Sequence, residues 1–197
     1  MGQITDVVKH LLILNVIIYF AAKTLSFFPP LELYYPGDGS NFKPYQIVSH
    51  MFMHGGQTHL IMNMLSLFFI GPTVERFIGS KNFFLLYFAA GLGAVVLRSL
   101  MQYLGFVPLN PAVGASGAIF GVVTAFATLF PHQKLYLMFF PVPIKAMYLI
   151  GASIAFTVYA GMTGAIMPRV AHFAHLGGAI VGFLMAWFWF KKYNFKR

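Results

Sequence analysis

The chain has 197 residues, 59% of them hydrophobic and only 9% charged, with no cysteine. A soluble domain carries roughly 25% charged residues, so polar groups cannot cover this one; disorder is excluded on the same count, and disulfide frameworks and thiol chemistry by the missing Cys. The net charge of +9 suits the Lys- and Arg-rich cytoplasmic loops of a membrane protein rather than nucleic acid, because no basic helix or stacking platform accompanies it.

Hydropathy and helix breakers predict six membrane-spanning helices, at residues 7–28, 59–78, 83–104, 115–130, 146–166 and 173–190. Six spans of about 20 residues take about 120 residues, or about 61% of the chain. The expected fold class is all-α: a polytopic membrane protein whose six-transmembrane-helix bundle fills residues 1–197 as one domain, with no soluble domain. The stretch 7–28 is too long for the apolar core of a signal peptide and reads as an uncleaved first span. The connection 29–58 is long; it holds Pro29, Pro30, Pro36 and Pro44, the Gly37-Asp38-Gly39 turn and the apolar pair Met51-Phe52. Further breaks fall at Gly79-Ser80, 105–111, 131–143 and Pro168. No internal repeat is visible, which argues against the inverted-repeat transporters.

With the N-terminus inside, nine basic residues fall at cytoplasmic ends and four (Lys23, Lys43, Arg169 and Arg98) at outer ends. This split places both termini in the cytoplasm. Spans two, four and six then run from outside to inside. On the second, His59, Asn63 and Ser66 share one helical face. The fourth opens with Gly114-Ala115-Ser116-Gly117 and continues a stripe of small residues through Gly121, Thr124 and Thr128. The sixth carries His175, Gly178 and Gly182, so spans four and six are expected to touch through small residues. His59, Asn63, Ser116 and His175 all lie near the start of their spans, within about 10 Å of the outer surface at 1.5 Å per residue.

A serine, two histidines and an asparagine at one depth suit acyl transfer. A neutral His removes the proton of a Ser hydroxyl, and the resulting oxyanion needs positioned donors. Asn63 and His59 are candidates, with the backbone N–H groups of Ala115 and Ser116 at the start of span four. The four carboxylates, Asp6, Glu32, Asp38 and Glu75, lie in tails, loops or span ends, so a dyad is expected rather than a triad.

Gly114-Ala115-Ser116-Gly117 resembles the GxSG of the rhomboid intramembrane serine proteases. His59-Leu60-Ile61-Met62-Asn63 resembles their HxxxN, and Ala174-His175 with Gly178 and Gly182 resembles their AH…GxxxG. His50-Met51-Phe52-Met53-His54 and Glu75-Arg76 also look like rhomboid features; the likeness extends from about Lys43 to Phe190 and matches the minimal six-helix bacterial form. It implies Ser116 as nucleophile and His175 as general base, then acid, with His59, Asn63 and the Ser116 N–H as oxyanion hole. It implies transmembrane protein substrates cut near the outer face of a plasma membrane, and no cofactor. One departure is the first loop, where many bacterial members carry Trp-Arg and this chain has Pro44-Tyr45-Gln46.

Other polar residues read more plainly. His50 and His54 have metal-pair spacing but no accompanying carboxylate or HExxH, so no metal is expected, and both are assigned to tying the loop to the mouth of the site. His172 competes with His175 for the base role, but only His175 has the glycines in register. Glu75 and Arg76 are expected to form an interfacial charge pair, and Arg98 to snorkel or pair with polar groups. Trp187, Trp189 and Tyr193 are expected to form an aromatic belt above the basic C-terminus, and span five with the loop near Arg169 to act as a gate. A non-catalytic rhomboid-like protein that holds transmembrane partners is an alternative, against which stands the full set of dyad and oxyanion residues. A small transporter is another, but paired half-helices and midplane acids are missing.

Overall fold

A single glycine separates two long apolar helices. Gly79 takes φ +82° and ends helix α3 (Gln57–Ile78), its N–H donating to Glu75 O at 2.8 Å, and α4 (Ser80–Tyr103) starts at once. That positive φ suits a residue without a Cβ. The computed structural model describes residues 3–25, 30–37, 39, 41–137, 140–163 and 172–194. The expected span ends at 26–28 and 164–166, the break at Pro168, the gate residue Arg169 and Asp38 lie outside the described residues.

Upstream of α3, α1 (Asp6–Thr24) is followed by the long connection, which contains the short helix α2 (Gln46–Ser49) and a 3-10 turn (His50–Phe52). After α4 come α5 (Ser116–Leu129), an antiparallel hairpin of β1 (Lys134–Leu137) and β2 (Phe140–Lys145), α6 (Ala146–Thr163) and α7 (His172–Asn194). Helix α1 ends short of the expected 7–28, with Leu25 already extended. The hairpin is a second departure, since 131–143 reads as a proline-bounded break. A two-stranded ribbon has only edge strands, where proline costs little, so Pro141 and Pro143 are accommodated in β2.

Five helices, α1, α3, α4, α6 and α7, are long and apolar enough to cross a membrane; α5, with 14 residues, is shorter. At 1.5 Å per residue α5 rises about 21 Å, against about 30 Å for a hydrocarbon core. It is therefore too short to cross that core from one face to the other. The chain is a polytopic membrane bundle whose outward faces carry exposed Ile17, Phe20, Val96, Met162, Leu184 and Phe188. Lipid tails, unlike water, accept such side chains without cost.

Helix α5 lies at the centre, packed against α3, α4 and α7. Between lipid-embedded helices the drive to associate comes from close packing rather than from expelling water. Glycine supplies that closeness: a Cβ built at Gly178 would overlap the carbonyl oxygen of Gly117, and one at Gly182 the backbone of Gly121. On the other side of α5, a Cβ at Gly121 would strike Ala90 of α4. Met51 fills the notch left by Gly91, and is itself buried with Phe52 in the core.

Two expectations about polar and aromatic residues change. Glu75 does not pair with Arg76. It is buried and accepts from Thr5 Oγ1 at 2.5 Å, Ser80 Oγ at 2.7 Å, Val8 N at 3.0 Å and Val7 N at 3.1 Å. It thereby takes up the free N–H groups at the start of α1, while Arg76 Nη1 donates to Gln3 O at 2.9 Å. Trp189 is buried in the core rather than in a belt, and Trp187 is the exposed ring, with Lys191 Nζ 5.1 Å from its centroid. The Tyr193 side chain lies outside the described residues.

Candidate active site

Ser116 is the first residue of α5 and His175 lies in the first turn of α7. The glycine contact between these helices brings both ends together, and His175 Nε2 stands 2.8 Å from Ser116 Oγ. With the ring proton on Nδ1, the serine hydroxyl donates to Nε2, the arrangement a general base needs. The imidazole is fixed from one side by Phe120, whose ring stacks on it at 4.3 Å and 6°. Phe120 follows Ser116 by four residues, so it shares the serine's helical face.

Helix α3 brings the remaining groups. His59, Asn63 and Ser66 line one cleft of about 880 Å³ together with Ser116 and His175. The Asn63 amide nitrogen is buried and has no hydrogen-bond partner among the described residues. An unspent donor in a buried position usually has a purpose, and an oxyanion provides one. His59 approaches from beside Gly114: a Cβ there would lie 2.7 Å from His59 Cε1, 2.9 Å from its Nε2 and 3.7 Å from Ser116 Oγ. Gly114 also has φ +121°, so both its backbone and its missing side chain are required.

The segment before Ser116 is tied down from two directions. Gly114 N donates to His50 O at 2.9 Å, and His50 Nδ1 faces Gln46 O at 2.9 Å, where the ring N–H donates. Burial, the largest cause, pushes the His50 imidazole down to about 4 despite this hydrogen bond. His54 is lowered to about 4 as well, by burial and then by the neighbouring His59, whose ring it meets edge-on at 5.1 Å. From α4, Arg98 Nη2 donates to Asn110 O at 2.8 Å and Oδ1 at 2.9 Å, and Gln102 Nε2 to Pro108 O at 3.0 Å. Arg98 thus has a polar partner in the 105–111 break.

All the residues singled out from sequence, His59, Asn63, Ala115, Ser116 and His175, are in or beside this cleft. Ala115 is fully buried and precedes the first turn of α5, whose leading N–H groups have no intrahelical acceptor. His172 lines the same cleft, one turn from His175, and faces Phe156; the ring beside Ser116 Oγ is that of His175. Phe120 and Asn110 were not singled out. Phe120 had a legible signal in its i+4 spacing, whereas Asn110 had none, because its contact with Arg98 is made by a returning loop. No group of three or more His, Cys, Asp or Glu suited to a metal occurs among the described residues.

Comparisons with known proteins agree on one family. Residues 41–192 match the model of the Rhomboid domain. The chain is 36% identical over 143 residues to Rhomboid protein 1, mitochondrial, of Saccharomyces cerevisiae, covering 72% of this chain and 41% of that protein. It is 34% identical over 142 residues to RHOMBOID-like protein 4 of Arabidopsis thaliana, covering 72% of this chain and 33% of that one. With Rhomboid protease GluP of Bacillus subtilis it shares 32% identity over 144 residues, covering 72% of this chain and 25% of that one. The match thus takes in well under half the length of each of these relatives. The chain belongs to the rhomboid family.

Proposed function

We propose that this member of the rhomboid family is an intramembrane serine endopeptidase that cuts transmembrane protein substrates with a Ser116–His175 dyad. The observation that carries the reading is the 2.8 Å approach of His175 Nε2 to Ser116 Oγ inside a cleft that also holds an unspent Asn63 donor. In the reaction, Ser116 Oγ attacks the scissile carbonyl carbon while its proton passes to His175 Nε2. The oxyanion accepts from Asn63 Nδ2, from the His59 ring N–H and from the Ser116 backbone N–H, with Ala115 N–H nearby. Protonated His175 then gives its proton to the leaving amine as the C–N bond breaks. Water attacks the acyl-enzyme with His175 again as base, releasing the acid and restoring Ser116. Substrate must arrive locally unwound, since a helix keeps its carbonyls in i→i−4 hydrogen bonds.

The same reading takes residues 1–197 as one catalytic unit, in a plasma membrane, with both termini cytoplasmic and the cleft opening to the outer face. Its support is the basic-residue split and the position of the site at the leading ends of α5 and α7. No cofactor or metal enters the mechanism. The test is cleavage of a single-span substrate in detergent by wild type, Ser116→Ala and His175→Ala, with labelling by a fluorophosphonate. Cleavage and labelling are both expected to vanish in Ser116→Ala, and cleavage to fall to background in His175→Ala. Unchanged cleavage in either variant overturns the mechanism.

A further inference from the structure

Arg98 carries a charge that the dyad chemistry does not use. It is buried at 7% exposure on α4, yet its side chain lines the cleft that holds Ser116. Its two described hydrogen bonds leave from Nη2 and end on neutral oxygens of Asn110. The N–H groups on Nε and Nη1, three of the five in a guanidinium, have no hydrogen-bond partner among the described residues. The ion pair present among those residues is Lys9–Asp6, at 3.3 Å and on the surface. Glu75 is engaged at the start of α1. A buried cation with only neutral partners is costly, and an incoming anion is what lowers that cost.

Position decides which anion. Ala94, one turn before Arg98, meets α5 beside the nucleophile: a Cβ at Gly117 would lie 2.5 Å from Ala94 Cβ. Arg98 is four residues further along, about 6 Å at 1.5 Å per residue. An extended peptide covers that distance in about two residues, and the long arginine side chain adds reach. The cleft that receives the scissile peptide therefore places a fixed cation close to it.

We propose that Arg98 is a specificity-determining residue that binds the carboxylate of an Asp or Glu within about four residues of the bond cut. The inference rests on the protease reading of the same cleft and names a substrate class for it: membrane-protein segments with an acidic residue beside the cleavage site. Asn110 holds the guanidinium while Nε and Nη1 meet the acid.

The experiment is a set of matched single-span substrates, each with Asp or Asn at one position flanking the scissile bond, cut in detergent by wild type, Arg98→Gln and Arg98→Lys. For wild type, one or two positions are expected to favour Asp over Asn by roughly tenfold or more in kcat/KM, the scale of a charge-assisted hydrogen bond. The preference should disappear in Arg98→Gln and survive in part in Arg98→Lys. No Asp preference in wild type overturns the proposal, as does a preference that persists in Arg98→Gln. Equal loss on Asp and Asn substrates by Arg98→Gln overturns it too, leaving Arg98 as a clamp on the loop. If Arg98→Gln does not fold, Arg98→Lys decides, since it keeps the charge but loses the fork geometry, and a preference undiminished in Arg98→Lys refutes the assignment. Failure of wild type to cut any substrate or to take the fluorophosphonate is a different result, and it removes the protease reading itself.

Discussion

Replacing Gly178 by alanine should disable the site without touching a residue in it. The added Cβ would sit 2.8 Å from the carbonyl carbon of Gly117 and overlap its oxygen, whereas ordinary contact begins at 3.4 Å. Helices α5 and α7 must then part by about 1.1–1.5 Å to clear the oxygen. Neither neighbour can yield by rotating a side chain, because both partners are backbone. Ser116 directly precedes Gly117 and His175 is one turn before Gly178, so the opening passes to the dyad. The 2.8 Å contact lengthens to about 3.9–4.3 Å, beyond the useful range of a hydrogen bond. Misplacement of about 1 Å costs about 100-fold in rate, and overpacking adds about 1–3 kcal/mol of destabilisation. Cleavage and fluorophosphonate labelling rates, with thermal unfolding in the same detergent, measure both effects. Gly151→Ala is the control: nothing lies within 4 Å of a Cβ there, so α6 should be unchanged or slightly steadier. Wild-type cleavage by Gly178→Ala would refute the account of how the dyad is held.

Glu75→Ala should release the start of α1 by removing the acceptor for Thr5, Ser80 and two backbone N–H groups. A loss of about 2–4 kcal/mol is expected, smaller in Glu75→Gln, while Arg76→Ala costs little; unfolding titrations in mixed detergent rank the three, and the reverse ranking rejects the assignment. Asn63→Ala should slow cleavage by about 100- to 1000-fold with serine labelling reduced in parallel, the usual effect of losing an oxyanion donor; an undiminished rate removes Asn63 from that role. Acid should destabilise the fold through the connection before α3. His50 stays neutral in the folded chain down to about 4, whereas unfolded it takes up a proton near 6.5. Stability is therefore full above about 6.5 and declines as pH falls towards 4, by about 3 kcal/mol for His50. His54 acts in the same direction. Unfolding followed from pH 7 to pH 4 should show a shallower slope in His50→Gln, and an identical slope contradicts the burial effect.

Membrane class and the positions of the helices were legible because hydropathy is a local, one-dimensional property. So were the residues of the candidate cleft, since His59 and Asn63 are four residues apart, Ser116 opens a run of small residues, and His175 stands in register with two glycines. Other features were not legible because their partners come from distant segments. Glu75 sits next to Arg76 in sequence, yet it faces Thr5 and the start of α1, because side chains one residue apart on a helix point in different directions. The hairpin at 134–145 was hidden by prolines that are unfavourable in most strands but tolerated at an edge.

The sequence by itself determined which groups are available for chemistry: a serine, histidines and an asparagine, and carboxylates only outside the outer ends of the spans. Tertiary structure alone decided that the Phe120 ring stacks on His175, that Asn110 returns to meet Arg98, and that Arg98 shares the cleft. The physical reason is the backbone approach of α5 to α7. Glycine allows that approach in any bundle, but the register of Gly117 on Gly178, set by all the packed helices together, is what brings two side chains to 2.8 Å.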